Sequence, residues 1–102
     1  MKRRGMINGI YIYESEEKWN QGIVKIQLKE TEKSWVLTLL ENTIRYCPAQ
    51  LEMLFKNKGR AVVNKEHSEH YHEFRYYEWG NTFLIYPYRA GIPFLFREQK
   101  NI

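Results

Sequence analysis

Arg75, Tyr77 and Trp79 alternate along the chain before Gly80-Asn81, and Tyr86 and Tyr88 alternate after it. A spacing of two places such residues on one face of a strand. A Gly/Asn pair between two runs rich in aromatic and β-branched residues signals a hairpin. With Gly80 and Asn81 as a two-residue loop, Trp79 pairs with Thr82, Tyr77 with Leu84, Arg75 with Tyr86 and Glu73 with Tyr88. A second tight turn at Ala90-Gly91 adds Leu95 and Arg97 to the same face. Flat rings beside guanidinium groups can stack the bases of single-stranded nucleic acid, at about 1–3 kcal/mol per base, while the arginines hold phosphates. Tyr, Trp and Arg also anchor protein interfaces, and cross-strand ring pairs stabilise a sheet without any ligand.

Two further groups carry potential chemistry. His67, His70 and His72 are interleaved with Glu66, Glu69 and Glu73, and imidazole and carboxylate are sound ligands for a divalent ion. Their spacing matches no established metal signature, so a solvated loop is the plainer reading and no cofactor is expected. Lys56, Lys58, Arg60 and Lys65 form a cationic run with no acid between Glu52 and Glu66. Lys56, Lys58 and Arg60 are the second candidates for phosphate contact.

Other chemistries are disfavoured by composition. All twelve acidic residues are Glu, so triads and magnesium or calcium sites that require Asp are not expected. The single Cys47 allows neither an internal disulfide nor a cysteine-based zinc site. No Gly-x-Ser-x-Gly, P-loop or dinucleotide glycine pattern occurs. Sixteen Lys and Arg give a net charge of +4, which favours an acidic partner such as nucleic acid. No apolar run is long enough for a membrane span, and the chain reads as cytoplasmic.

The elements that must position these residues follow from periodicity. The 102 residues suit one domain, with 1–6 as a flexible basic N-terminus. Residues 9–14 and 23–29 read as strands, the second with Val24, Ile26 and Leu28 on one face. From Ser34, a candidate N-cap, Val36, Leu39, Leu40, Ile44 and Cys47 fall at helical spacing. Pro48 suits the start of a second helix carrying Leu51, Leu54 and Phe55 inward, with Lys56 and Lys58 in its last turn and Gly59 as its cap. Strands over 60–64, 71–79, 82–88 and 92–97 complete the order β-β-α-α-β-β-β-β. The expected class is α+β, with two helices packed on one face of a mainly antiparallel sheet. Phe74, Tyr76, Phe83, Ile85, Ile92, Phe94 and Phe96 supply its apolar face.

From Ser34 onward, two helices followed by a meander, this order resembles small basic bacterial ribonuclease toxins of the RelE type. Their active sheet also presents Arg, Lys and Tyr, although the N-terminal hairpin departs from them. Three functional readings result. The favoured one is a non-enzymatic binding module, of the kind a phage or mobile element uses as an accessory or inhibitor protein. It would act as a monomer or homodimer on a nucleic acid or nucleoprotein, for example a host nuclease or CRISPR effector. The others are a metal-independent ribonuclease toxin and a metal-binding protein using the histidines.

Overall fold

Alternating apolar residues build the first hairpin. The computed structural model describes residues 5–65, 73–77, 81–86 and 92–99. Within them β1 (Asn8–Glu14) and β2 (Ile23–Glu30) pair antiparallel from Asn8↔Lys29 to Glu14↔Ile23. Val24, Ile26 and Leu28 turn to one face and are buried, leaving Lys25, Gln27 and Lys29 on the other. The connection between the strands holds a short 3-10 turn, Lys18–Asn20. The Asn20 side chain clamps the backbone of Tyr46 with hydrogen bonds of 2.8 and 2.9 Å.

The next segment corrects the helical expectation. Residues Ser34–Asn42 form a strand, β3, paired to β2 from Glu30↔Trp35 to Val24↔Asn42. Val36, Leu39 and Leu40 fit a helical stripe only because the run is densely apolar. Trp35 and Leu37, 7% and 0% exposed, reveal the period of two that governs it. Leu40 is the extra residue of a bulge opposite Lys25/Ile26 and is 49% exposed. Ser34 is no helix cap. Its hydroxyl lies 2.6 Å from that of Thr31, and Thr31 Oγ1 accepts the Ser34 N–H at 2.9 Å, closing the β2–β3 turn.

One short helix remains of the two expected. α1 (Ala49–Leu54) follows Pro48, which stands at the N-cap. The helix ends before Lys56 and Lys58, and turns continue to Gly59, whose φ is 72° and whose N–H donates to the Phe55 carbonyl at 3.0 Å. Leu51 and Phe55 are buried in the common core, beside Val24 and Leu39. β4 (Arg60–Asn64) then pairs antiparallel with β3.

β5 (Glu73–Tyr77), β6 (Thr82–Tyr86) and β7 (Phe94–Glu98) form an antiparallel meander, and β7 pairs with β1 through Tyr11↔Glu98 and Ile12↔Arg97. The resulting seven-stranded sheet has the order β4-β3-β2-β1-β7-β6-β5. It curls into a half-barrel. Trp35 on β3 lies 5.1 Å from Phe83 on β6 and 6.3 Å from Tyr76 on β5, measured between ring centroids, although several strands separate them in the sheet. The concave face is the core, filled by Tyr11, Val24, Ile26, Leu28, Leu37, Phe83, Ile85 and Phe96. Among the described residues the architecture is thus mostly antiparallel sheet with one short helix, not an α+β sheet carrying two packed helices. With the first helix gone, the topological likeness to the ribonuclease toxins loses its ground.

An acid is buried at one end of this core. Glu30 ends the inward-facing row of β2, where Oε1 accepts the Ile7 N–H at 3.1 Å and Oε2 meets Lys65 Nζ at 2.6 Å. Lys65 also lies 5.0 Å from the centre of the Trp35 ring. The pair ties the N-terminal approach to β1 and the exit from β4 onto the β2–β3 hairpin.

Candidate functional site

The C-terminal meander has a different register from the one the turn residues suggest. Tyr77 pairs with Thr82, Arg75 with Leu84 and Glu73 with Tyr86, so the β5–β6 connection spans residues 78–81 instead of Gly80-Asn81 alone. The next pairing, Phe83↔Phe96 and Ile85↔Phe94, is displaced in the same way from a two-residue Ala90-Gly91 turn. Each displacement amounts to two residues of pairing. A shift of one would exchange the faces, whereas a shift of two leaves every side chain on its face. Phe74, Tyr76, Phe83, Ile85, Phe94 and Phe96 therefore belong to the core as expected. Ile92, expected beside them, is almost fully exposed.

The opposite, convex face carries Arg75 and Tyr77 from β5, Leu84 and Tyr86 from β6, and Leu95 and Arg97 from β7. Arg75 and Arg97 are exposed, and Tyr77 and Tyr86 are half-buried. The Arg75 guanidinium lies 5.5 Å from the centre of the Tyr86 ring, a cation–π distance that pairs the two across the strands. Leu84 and Leu95 face each other between them, with Leu95 38% exposed. Arg97 lies in one cross-strand row with Thr82 and Tyr77. Neighbouring strands are about 4.8 Å apart, so Arg97 stands about 10 Å from the β5 row. The arrangement is a basic and aromatic platform with two leucines at its centre.

Pairing of β7 with β1 extends this platform. Ile12 stands opposite Arg97, and Lys25 stands opposite Ile12, its ammonium 3.5 Å from Glu41. Ile12 was not among the expected site residues. The β1–β7 contact joins segments more than eighty positions apart, and no local pattern announces it. Trp79 and Tyr88, expected on this face, lie outside the described residues, as do His67, His70 and His72 with Glu66 and Glu69. Among the described residues no group of three His, Cys, Asp or Glu is placed to hold a metal ion.

Lys56, Lys58 and Arg60 are exposed and stand at the other end of the strand order, where the turn after α1 enters β4. They form a separate cationic region. Cys47 lines a cleft of about 390 Å³ with Val24, Leu39, Leu51 and Phe55. Burial pushes its thiol pKa up, outweighing a hydrogen bond from Asn42 that lowers it, and Glu52 adds to the rise. A thiol so placed is a poor nucleophile at neutral pH. No protein family, curated protein or solved structure matches the chain.

Proposed function

We propose that the protein is a non-enzymatic binding module whose convex β5–β6–β7 face holds single-stranded nucleic acid, alone or within a nucleoprotein. The observation that carries this reading is the presence of Arg75 and Arg97 on the same face as Tyr77 and Tyr86. Guanidinium groups neutralise phosphates, and tyrosine rings offer surfaces on which unstacked bases can lie. The net charge of +4 supports the approach of a polyanion. A module of this kind acts by occupancy, which suits an accessory protein that obstructs a nuclease or CRISPR effector at its nucleic acid.

Capture from lysate with and without nuclease treatment tests the reading. Partners that depend on nucleic acid disappear after treatment and are lost when Arg75 and Arg97 are both changed to Ala. Partners retained in full after nuclease treatment, or captured equally by the double variant, would overturn it.

A further inference from the structure

Strand β4 lies at one end of the sheet, and among the described residues no strand pairs with its outer side. The hydrogen bonds flanking the β3–β4 ladder fix which of its backbone groups point outward. Leu39 N–H donates to the Gly59 carbonyl at 2.6 Å, and Lys65 N–H donates to the Lys33 carbonyl at 2.7 Å. In an antiparallel ladder with pairs Trp35↔Val63 and Leu37↔Ala61, these bonds aim the N–H and C=O of Ala61 and Val63 at β3. Val62 pairs with Val36 at a position without ladder bonds, so its N–H and C=O both aim away from the sheet. The Val62 side chain is 58% exposed on the convex face. Arg60 stands two residues away on that face, with Lys56 and Lys58 exposed just before it.

We propose that this edge takes an acidic, extended peptide as an added strand. The backbone chemistry distinguishes that occupant from a nucleic acid. Val62 offers a donor and an acceptor side by side. Another extended peptide backbone satisfies both, whereas a phosphate supplies acceptors alone and leaves the Val62 carbonyl unpaired. A small or branched apolar residue of the peptide sits beside Val62, and acidic residues continue toward Arg60, Lys58 and Lys56. The absence of any acid between Glu52 and Glu66 sets the sign of the partner. A second copy of the chain is less well matched, because it brings its own Lys56, Lys58 and Arg60 to the same edge. The site is distinct from the β5–β6–β7 platform and stands at the opposite end of the strand order.

The probe is a short fluorescent peptide repeating Val-Val-Glu-Glu, which sets Val and Glu in turn along one face of a strand, with the peptide carrying Lys for Glu as control, read by anisotropy on the full chain. Saturable binding of the Glu/Val peptide alone is expected. It should be weakened about tenfold or more by Arg60→Glu and abolished by Val62→Pro. Proline is tolerated where a strand N–H faces outward, and an unchanged circular dichroism spectrum checks that variant. A Glu/Val peptide N-methylated at its central residue leaves the protein untouched and should also fail to bind. No binding, or binding indifferent to N-methylation, would overturn the proposal. So would displacement of the peptide by a single-stranded oligonucleotide whose own binding needs Arg60 but not Val62, which identifies a phosphate site. A dimer seen by sedimentation and dissociated by Val62→Pro would identify a second copy as the occupant instead.

Discussion

Curling of the sheet brings Trp35 on β3 against Phe83 on β6, and a double-mutant cycle measures that contact directly. Phe83 is fully buried, and its ring centroid lies 5.1 Å from that of Trp35 and 5.5 Å from that of Phe74. Replacing each ring by Leu keeps most of the apolar area. Each single change should then cost about 1–3 kcal/mol, against a total stability of about 5–15 kcal/mol for a domain of this size. Trp35→Leu also loses the Lys65 ammonium over its ring, worth about 0.5–1 kcal/mol. That loss occurs in both arms of the cycle and cancels. The remaining coupling between the rings should be about 0.5–1.5 kcal/mol. Urea unfolding of the four proteins, followed by fluorescence and circular dichroism, gives the values with a common slope. Additivity to within about 0.3 kcal/mol would refute the curled sheet, because a helical segment at 34–42 places Trp35 off the apolar stripe and away from Phe83.

Other predictions concern the frame around the sheet. Gly22 has a φ of 148°, and a Cβ there would stand 2.7 Å from the Thr43 carbonyl and the Ile44 nitrogen. Gly22→Ala should therefore destabilise the fold by about 2 kcal/mol or more, read from the urea midpoint; an unchanged midpoint would contradict this geometry. Lys65→Met removes the cation from the buried Glu30 carboxylate and should cost about 1–3 kcal/mol, discounted because the ammonium is partly exposed. Adding Glu30→Leu should recover part of the loss. The pKa values of Tyr13 and Cys47 are raised mainly by burial, with Glu16, Cys47 and Glu17 adding to the effect at Tyr13. Groups whose folded values lie above their unfolded ones contribute stability that is complete below the unfolded values and lost as pH rises through the folded ones. Stability should thus fall on the alkaline side, above the ordinary thiol and phenol ranges. Cys47 should react with iodoacetamide more slowly than an unstructured cysteine peptide at the same mildly alkaline pH, and an equal rate would show that the thiol is not sheltered.

The faces of the sheet were more legible than its partners. Val24, Ile26 and Leu28 alternate cleanly with Lys25, Gln27 and Lys29, and no other arrangement satisfies that pattern. The span Arg60–Asn64 was likewise readable, because Gly59 and the cationic turn mark its start. Alternation in the sequence puts Arg75, Tyr77, Tyr86 and Arg97 on one face, and the structure keeps them on one face although both hairpin registers differ, since a displacement of two residues preserves the face. The segment Ser34–Asn42 misled because Val36, Leu39 and Leu40 satisfy a helical spacing. The opposing evidence, Trp35 and Leu37 in alternation, gains its weight only when β2 and β4 flank it. Pairing of β1 with β7 determines how the platform extends to Ile12, and a contact between the two ends of a chain has no local signature.

Titration of fluorescent single-stranded RNA with the wild-type protein and with Arg75→Ala, Arg97→Ala and Tyr86→Ala, across a salt series, addresses the proposed binding face most directly. Each arginine variant should flatten the salt slope by about one phosphate contact. Tyr86→Ala should weaken binding by about 1–3 kcal/mol while leaving the slope nearly unchanged. Folded variants that bind RNA as the wild type does, with the same salt slope, would show that this convex face is only a stable sheet surface.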